Sequence, residues 1–178
     1  MTHQADMLAF LEAQGADSLD HSEADLLSHL LGVQGLLQQW GARDAVCDAG
    51  LFHSVYGTEY FTEVAVALTL RPKVQALIGD EAEMLAHAFA TMQRETLYDN
   101  LFDGRAEYSI RSRLTGEVIA LTEQQFRDLC DITLANWYEQ RLRVPEEIRS
   151  LTALEFHYMR PYLLPAAAQA LDASARES

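Results

Sequence analysis

The sequence predicts a mainly α protein, a single helical bundle over residues 1–178 carrying one small β-hairpin. Three observations lead there. Apolar residues recur at helical spacing through the first ninety residues and again through the last sixty, one stretch between them alternates like paired strands, and no repeat or low-complexity linker divides the chain. About half the residues are apolar, so 178 residues suffice for a core without disulfide staples, which is placed at about residues 22–160.

The first element is a short amphipathic helix over 5–14 (Met7, Leu8, Phe10, Leu11), ended by the Gly15-Ala16-Asp17 turn. Ser22 with Asp25 reads as an N-cap and acidic first turn for a long segment through Leu26, Leu30, Val33, Leu37 and Trp40, which Gly41 stops. A third helix is predicted from about Ala42 to Tyr56, before the Gly57-Thr58 break. Residues 60–78 are ambiguous, because Val64, Val66, Leu68 and Leu70 alternate like a strand while Pro72 and its neighbours suggest a loop and a helical turn. A helix follows over about 81–93, with Met84, Leu85, Ala88, Phe89 and Met92 on one face. Tyr108–Arg113 and Val118–Leu121 flank Leu114-Thr115-Gly116-Glu117, a hairpin signature. Thr122 and Gln125 form a capping box for a helix to about Arg143, Pro145 opens another to about Arg160, and Pro161 and Pro165 bound an Ala-rich last helix, with 173–178 expected to be disordered.

Charge narrows the partners. Thirteen Lys and Arg against 27 Asp and Glu give −14, of which −12 falls in residues 1–104, and no basic stripe interrupts it. Such a surface repels polyanions, so nucleic acid is not an expected partner. No apolar run has the length of a membrane helix and the N-terminus lacks a basic start, so a cytoplasmic protein away from membranes is expected, with Cys47 and Cys130 as reduced thiols. A small-molecule ligand is the expected partner, and a homodimer is compatible with the sequence. There is one lysine, Lys73, and no P-loop, dinucleotide glycine pattern or G-x-S-x-G elbow, which removes several common enzyme classes.

Of the six histidines, His29 and His53 stand out because each falls in an apolar helix, where a titratable ring must be paired or bind something. Their helices are successive and joined by a turn, so the rings can meet across an antiparallel pair. His29 shares a face with Leu26, Val33 and Leu36, and Gly32 leaves room beside it. The bland alternative is two core histidines satisfied by backbone carbonyls.

Leu26-Leu27-Ser28-His29-Leu30-Leu31-Gly32, followed by Ala49-Gly50-Leu51-Phe52-His53-Ser54-Val55-Tyr56-Gly57-Thr58-Glu59, resembles the opening of an HD-domain metal-dependent phosphohydrolase. The nearest pattern is the guanosine-tetraphosphate hydrolase branch, whose later Ala-Asp landmark Leu134-Ala135-Asn136-Trp137 resembles. The resemblance covers about 22–142 and implies an HD-like bundle with His29 and His53 as imidazole ligands. Ser54 and Asn136 stand where that pattern has its two Asp ligands, and Gly57 and Thr58 where it has a Glu-Asp pair. The His53-Ser54-Val55-Tyr56-Gly57-Thr58-Glu59 block and the Ala135-Asn136-Trp137-Tyr138-Glu139-Gln140 segment resemble a small bacterial group within this fold, and both anionic metal ligands of the pattern are absent here.

The remaining polar set supports two functional expectations. One is an enzyme acting on a small polar metabolite by hydrolysis or related acid–base chemistry, with His53, Glu59, Tyr56 and His29 catalytic and Ser54, Asn136, Arg111 and Arg113 binding substrate. The other is a non-catalytic ligand- or partner-binding module. No cofactor is expected; the alternative is a divalent transition metal on His29, His53 and Glu59, with Glu139 as a reserve ligand on the Asn136 helix. Arg111 and Arg113 lie two apart on one strand, with Arg105 before them, so they can hold a phosphate or carboxylate, unless they are solvated strand charges.

Overall fold

The computed structural model describes residues 3–21, 24–102 and 107–174. It is mainly α with one small β-hairpin, as the periodicity predicts. Helix α1 spans His3–Ala13, and a two-residue pairing of β1 (Asp20–His21) with β2 (Ala24–Asp25) leads into α2, Leu26–Gln39. The cap of α2 is Asp25, whose side chain accepts from the Ser28 N–H; Ser22 lies outside the described residues. Leu26, Leu30, Val33 and Leu37 are fully buried along one stripe, and α2 packs on α3 (Asp44–Phe52) and on α7 (Glu123–Gln140), while α3 packs on α5 (Asp80–Thr91).

Helix α3 stops at Phe52, four residues short of the expected end. The His53 ring itself takes the Gly50 carbonyl, through Nδ1 at 2.7 Å, so a last-turn acceptor is satisfied by a side chain instead of a continuing backbone. Gly57 then turns the chain at φ +75°, where a Cβ would come within 3.1 Å of the Glu63 carbonyl.

Residues 60–67 form a loop, followed by a 3-10 turn at Leu68–Leu70 and helix α4, Arg71–Ile78, with Pro72 in its first turn. The alternation there was a true burial signal, since Val66 is buried between exposed Val64 and Leu68, but the segment pairs with no strand. Helix α6, Arg94–Phe102, falls where no element is expected. Among its described side chains the buried ones are Arg94, Leu97 and Asn100, so two of these three are polar and the apolar period is interrupted.

The hairpin pairs β3 (Tyr108–Arg111) with β4 (Val118–Leu121), Tyr108 opposite Leu121. The Thr122–Gln125 capping box opens α7, a 3-10 turn covers Arg141–Arg143, and Pro145 caps α8, Glu146–Phe156. A 3-10 segment, His157–Tyr162, holds Pro161 ahead of α9, Pro165–Ser174. The core extends past the expected 22–160 at both ends, because Met7 and Leu11 of α1 and Ala167 and Leu171 of α9 are buried in it. No helix among the described residues is long and apolar enough to cross a membrane.

Candidate functional site

Helices α2, α3 and α7 bring three side chains to one point. His29 Nε2 lies 3.2 Å from His53 Nε2, and Asn136 Oδ1 is 3.1 Å from the first and 3.0 Å from the second. Both rings are completely buried, with centroids 5.1 Å apart at an interplanar angle of 68°, and the His53 and Phe89 rings pack edge-to-face with centroids 4.9 Å apart.

The opposite nitrogen of each ring is pinned. His53 Nδ1 donates to the Gly50 carbonyl, and His29 Nδ1 donates to Glu139 Oε2 at 2.5 Å. Glu139 also pairs with Arg143 one turn along. Burial acts to raise the Glu139 pKa, but the His29 and Arg143 partners outweigh it and hold the carboxyl below its ordinary range. Gly32 makes this approach feasible, since a Cβ there would sit 2.7 Å from Glu139 Cγ.

Fixing both Nδ1 atoms as donors has a chemical consequence. Each neutral ring then presents a lone pair at Nε2, and the Asn136 oxygen adds further lone pairs at the same point. A hydrogen or a cation shared at this point would bridge the three atoms, and Asn136 Oδ1 also accepts from Gln140 Nε2 at 3.3 Å.

Beside it lies a cavity of about 420 Å³, whose wall includes Ser54, Thr58, Phe89, Arg94, Asn136 and Gln140. Ser54 is 1% exposed and its hydroxyl has no hydrogen-bond partner among the described residues. Asn136 belongs to both the cavity wall and the imidazole triangle, so it is the boundary between them.

The sequence-derived set divides accordingly. His29, His53, Ser54 and Asn136 come together. Tyr56 does not join them: it is buried elsewhere, its hydroxyl donating to Glu83 Oε1 at 3.1 Å, and burial followed by the Glu83 charge pushes its pKa far up. Glu59 caps the start of α6 by accepting the Arg94 N–H at 2.9 Å, and no three His, Cys, Asp or Glu side chains among the described residues are arranged to hold a metal ion. The His29–His53–Glu59 set is therefore not assembled, because the turn after Gly57 commits Glu59 to a helix N-terminus.

Arg111 and Arg113 do not form an anion clamp. Arg111 donates to the Gly116 carbonyl within the hairpin, while Arg113 ties the hairpin to the Ala90 and Gly57 carbonyls. Arg105 lies outside the described residues. Conversely, the sequence reading passed over Arg94, the buried cation of the cavity wall, and gave Glu139 only a reserve role. A polar residue at the inward i, i+3 positions of an unrecognised helix was the available signal for Arg94. Cys47 and Cys130 are buried free thiols, with Cys47 pushed up to about 11 by burial, so neither is an activated nucleophile.

The model of a family described as a domain of unknown function (DUF6817) matches residues 10–94. That span holds His29, His53, Ser54 and Arg94 but not Asn136 or Glu139. No curated protein and no solved structure matches the chain.

Proposed function

We propose that the protein is an enzyme of HD-like type that takes a small polar metabolite into the 420 Å³ cavity and acts on it by hydrolysis or related acid–base chemistry. The observation that carries this reading is the convergence of His29 Nε2, His53 Nε2 and Asn136 Oδ1 at the edge of a cavity whose wall holds the unpartnered Ser54 hydroxyl. In this scheme Ser54 and Asn136 touch the substrate. His53 and His29 hold the transferable proton, and Glu139 fixes the orientation of the His29 ring through Nδ1.

A divalent cation is the competing occupant of the triangle. Donor spacings of 3.0–3.2 Å suit an ion about 2.1 Å from each donor, and a carboxylate behind one imidazole with a carbonyl behind the other is the usual support for metal-bound histidine. The charges do not suit it. All three donors are neutral, the two family carboxylates are replaced by Ser54 and Asn136, and buried Arg94 lies in the adjoining wall. Protein purified without added metal is therefore expected to contain well under one equivalent of Fe, Mn or Zn. Elemental analysis finding stoichiometric metal that disappears in His53→Ala would overturn the proton-based scheme.

Binding without turnover is the second reading, favoured by the fact that neither imidazole lines the cavity. A panel of carboxylates, amides, phosphate esters and nucleotides separates the two. The enzyme reading expects turnover of one class that survives chelation and falls at least about a hundredfold in His53→Gln. Saturable binding with no turnover across the panel would establish the binding reading instead.

A further inference from the structure

Arg94 differs from the other arginines whose side chains are described. Arg43, Arg71, Arg127, Arg143 and Arg160 each meet a carboxylate, and Arg111, Arg113 and Arg141 meet backbone carbonyls. Arg94 is 6% exposed, yet its guanidinium makes one hydrogen bond among the described residues, a 3.5 Å contact from Nη1 to the Thr133 hydroxyl. Its face lies 4.2 Å over the Phe89 ring, which fixes the plane without using the remaining N–H groups. A guanidinium cannot shed its proton, so burying one with its donors unused is unfavourable unless something arrives to take them.

The surroundings say what that is. Arg94 shares the cavity wall with the unpartnered Ser54 hydroxyl and with Asn136 and Gln140, a set rich in donors. The other charged group of the wall is Glu63, exposed at the rim, and Glu59 sits at the Arg94 backbone. Arg94 is the cation of this wall, and its single charge matches a ligand carrying one negative charge, whereas a dianion exceeds it beside Glu59 and Glu63 in a chain of net charge −14. The planar fork of a guanidinium also matches a planar carboxylate.

We propose that Arg94 anchors the carboxylate of a small monoanionic ligand in this cavity, with the Ser54 hydroxyl as a second donor. This rests on reading the cavity as the ligand site and is independent of turnover. The test uses the full chain and acetate as the probe, with inorganic phosphate at matched ionic strength as the second arm, followed by NMR at the Arg94 Nε–H and the Ser54 and Gln140 amides. Saturable shifts are expected with acetate and weaker ones with phosphate, and Arg94→Met should lower acetate affinity at least about tenfold. If Arg94→Met does not fold, Arg94→Lys, which keeps the charge but loses the fork, should weaken acetate severalfold. No saturable shift, unchanged affinity in the variants, or phosphate binding tighter than acetate would each overturn the proposal. His53→Gln keeps the two readings apart: loss of turnover with acetate binding intact supports both, whereas wild-type acetate binding without any turnover removes only the enzymatic one.

Discussion

Two clusters of buried polar side chains, one around Glu83 and one around Asn136, contrast in how they are satisfied. Around Glu83 the account closes: Oε1 takes the Tyr56 hydroxyl and Arg71 Nε at 2.7 Å, Oε2 takes Arg71 Nη2 at 2.8 Å, and one carboxylate balances one guanidinium. Around Asn136 it does not close. Among the described residues the Ser54 hydroxyl has no partner and the Arg94 guanidinium has one long contact. The groups around Glu83 are complementary to one another, whereas those at the cavity leave donors directed toward a ligand.

A third buried group tests whether pairing, rather than burial, makes the difference. Asp131 is 4% exposed on α7, and its hydrogen bond from the Leu164 N–H does not offset burial, which raises its pKa to about 7. In the unfolded chain the same carboxyl titrates near 3.8, so between these values the folded state binds more protons and stability falls as pH rises. The loss is complete above about pH 7 and amounts to roughly 4 kcal/mol. Denaturant unfolding of Asp131→Asn should therefore show a stability gain over wild type that grows from pH 4 to pH 7 and then levels. A pH-independent difference would mean that Asp131 carries its charge when folded.

Breaking the closed cluster comes next in size. Glu83→Gln removes the charge that Arg71 needs and leaves the buried Tyr56 hydroxyl with a poorer acceptor. The expected loss is about 2–3 kcal/mol, tempered by the partial exposure of Arg71. The double variant Glu83→Gln with Tyr56→Phe should lose less than the sum of the single changes, since both act on one network. Additive losses would show that the two contacts are independent.

The same contrast explains what the sequence made legible. Helices with apolar inner faces, the hairpin and the Thr122 capping box were readable because a single local pattern specifies each. His29 and His53 were readable because a titratable ring in an apolar stripe is conspicuous. Tyr56 and Glu59 lie within six residues of His53 yet turn elsewhere, because α3 ends at Phe52 and the Gly57 turn redirects the chain, a backbone event that residue spacing does not encode. Arg94 and Glu139 reach the site from α6 and α7, and partners so distant in sequence leave no local signature. The inner face of α6, with Arg94 and Asn100 flanking Leu97, also disguised the helix that carries the cavity's cation.

The smallest stability change is expected at the most buried charge of the open cluster. Removing a cation from the closed network would strand Glu83, but Arg94→Met strands no carboxylate, because none among the described residues is paired with that guanidinium. The thioether can occupy much of the same space against Phe89, forfeiting the cation–π contact while relieving the desolvation of an unpaired charge. These opposing effects leave a net change of less than about 1 kcal/mol by denaturant unfolding. A loss as large as that of Glu83→Gln would show that Arg94 is a structural cation like Arg71, and the distinction between the two clusters would collapse.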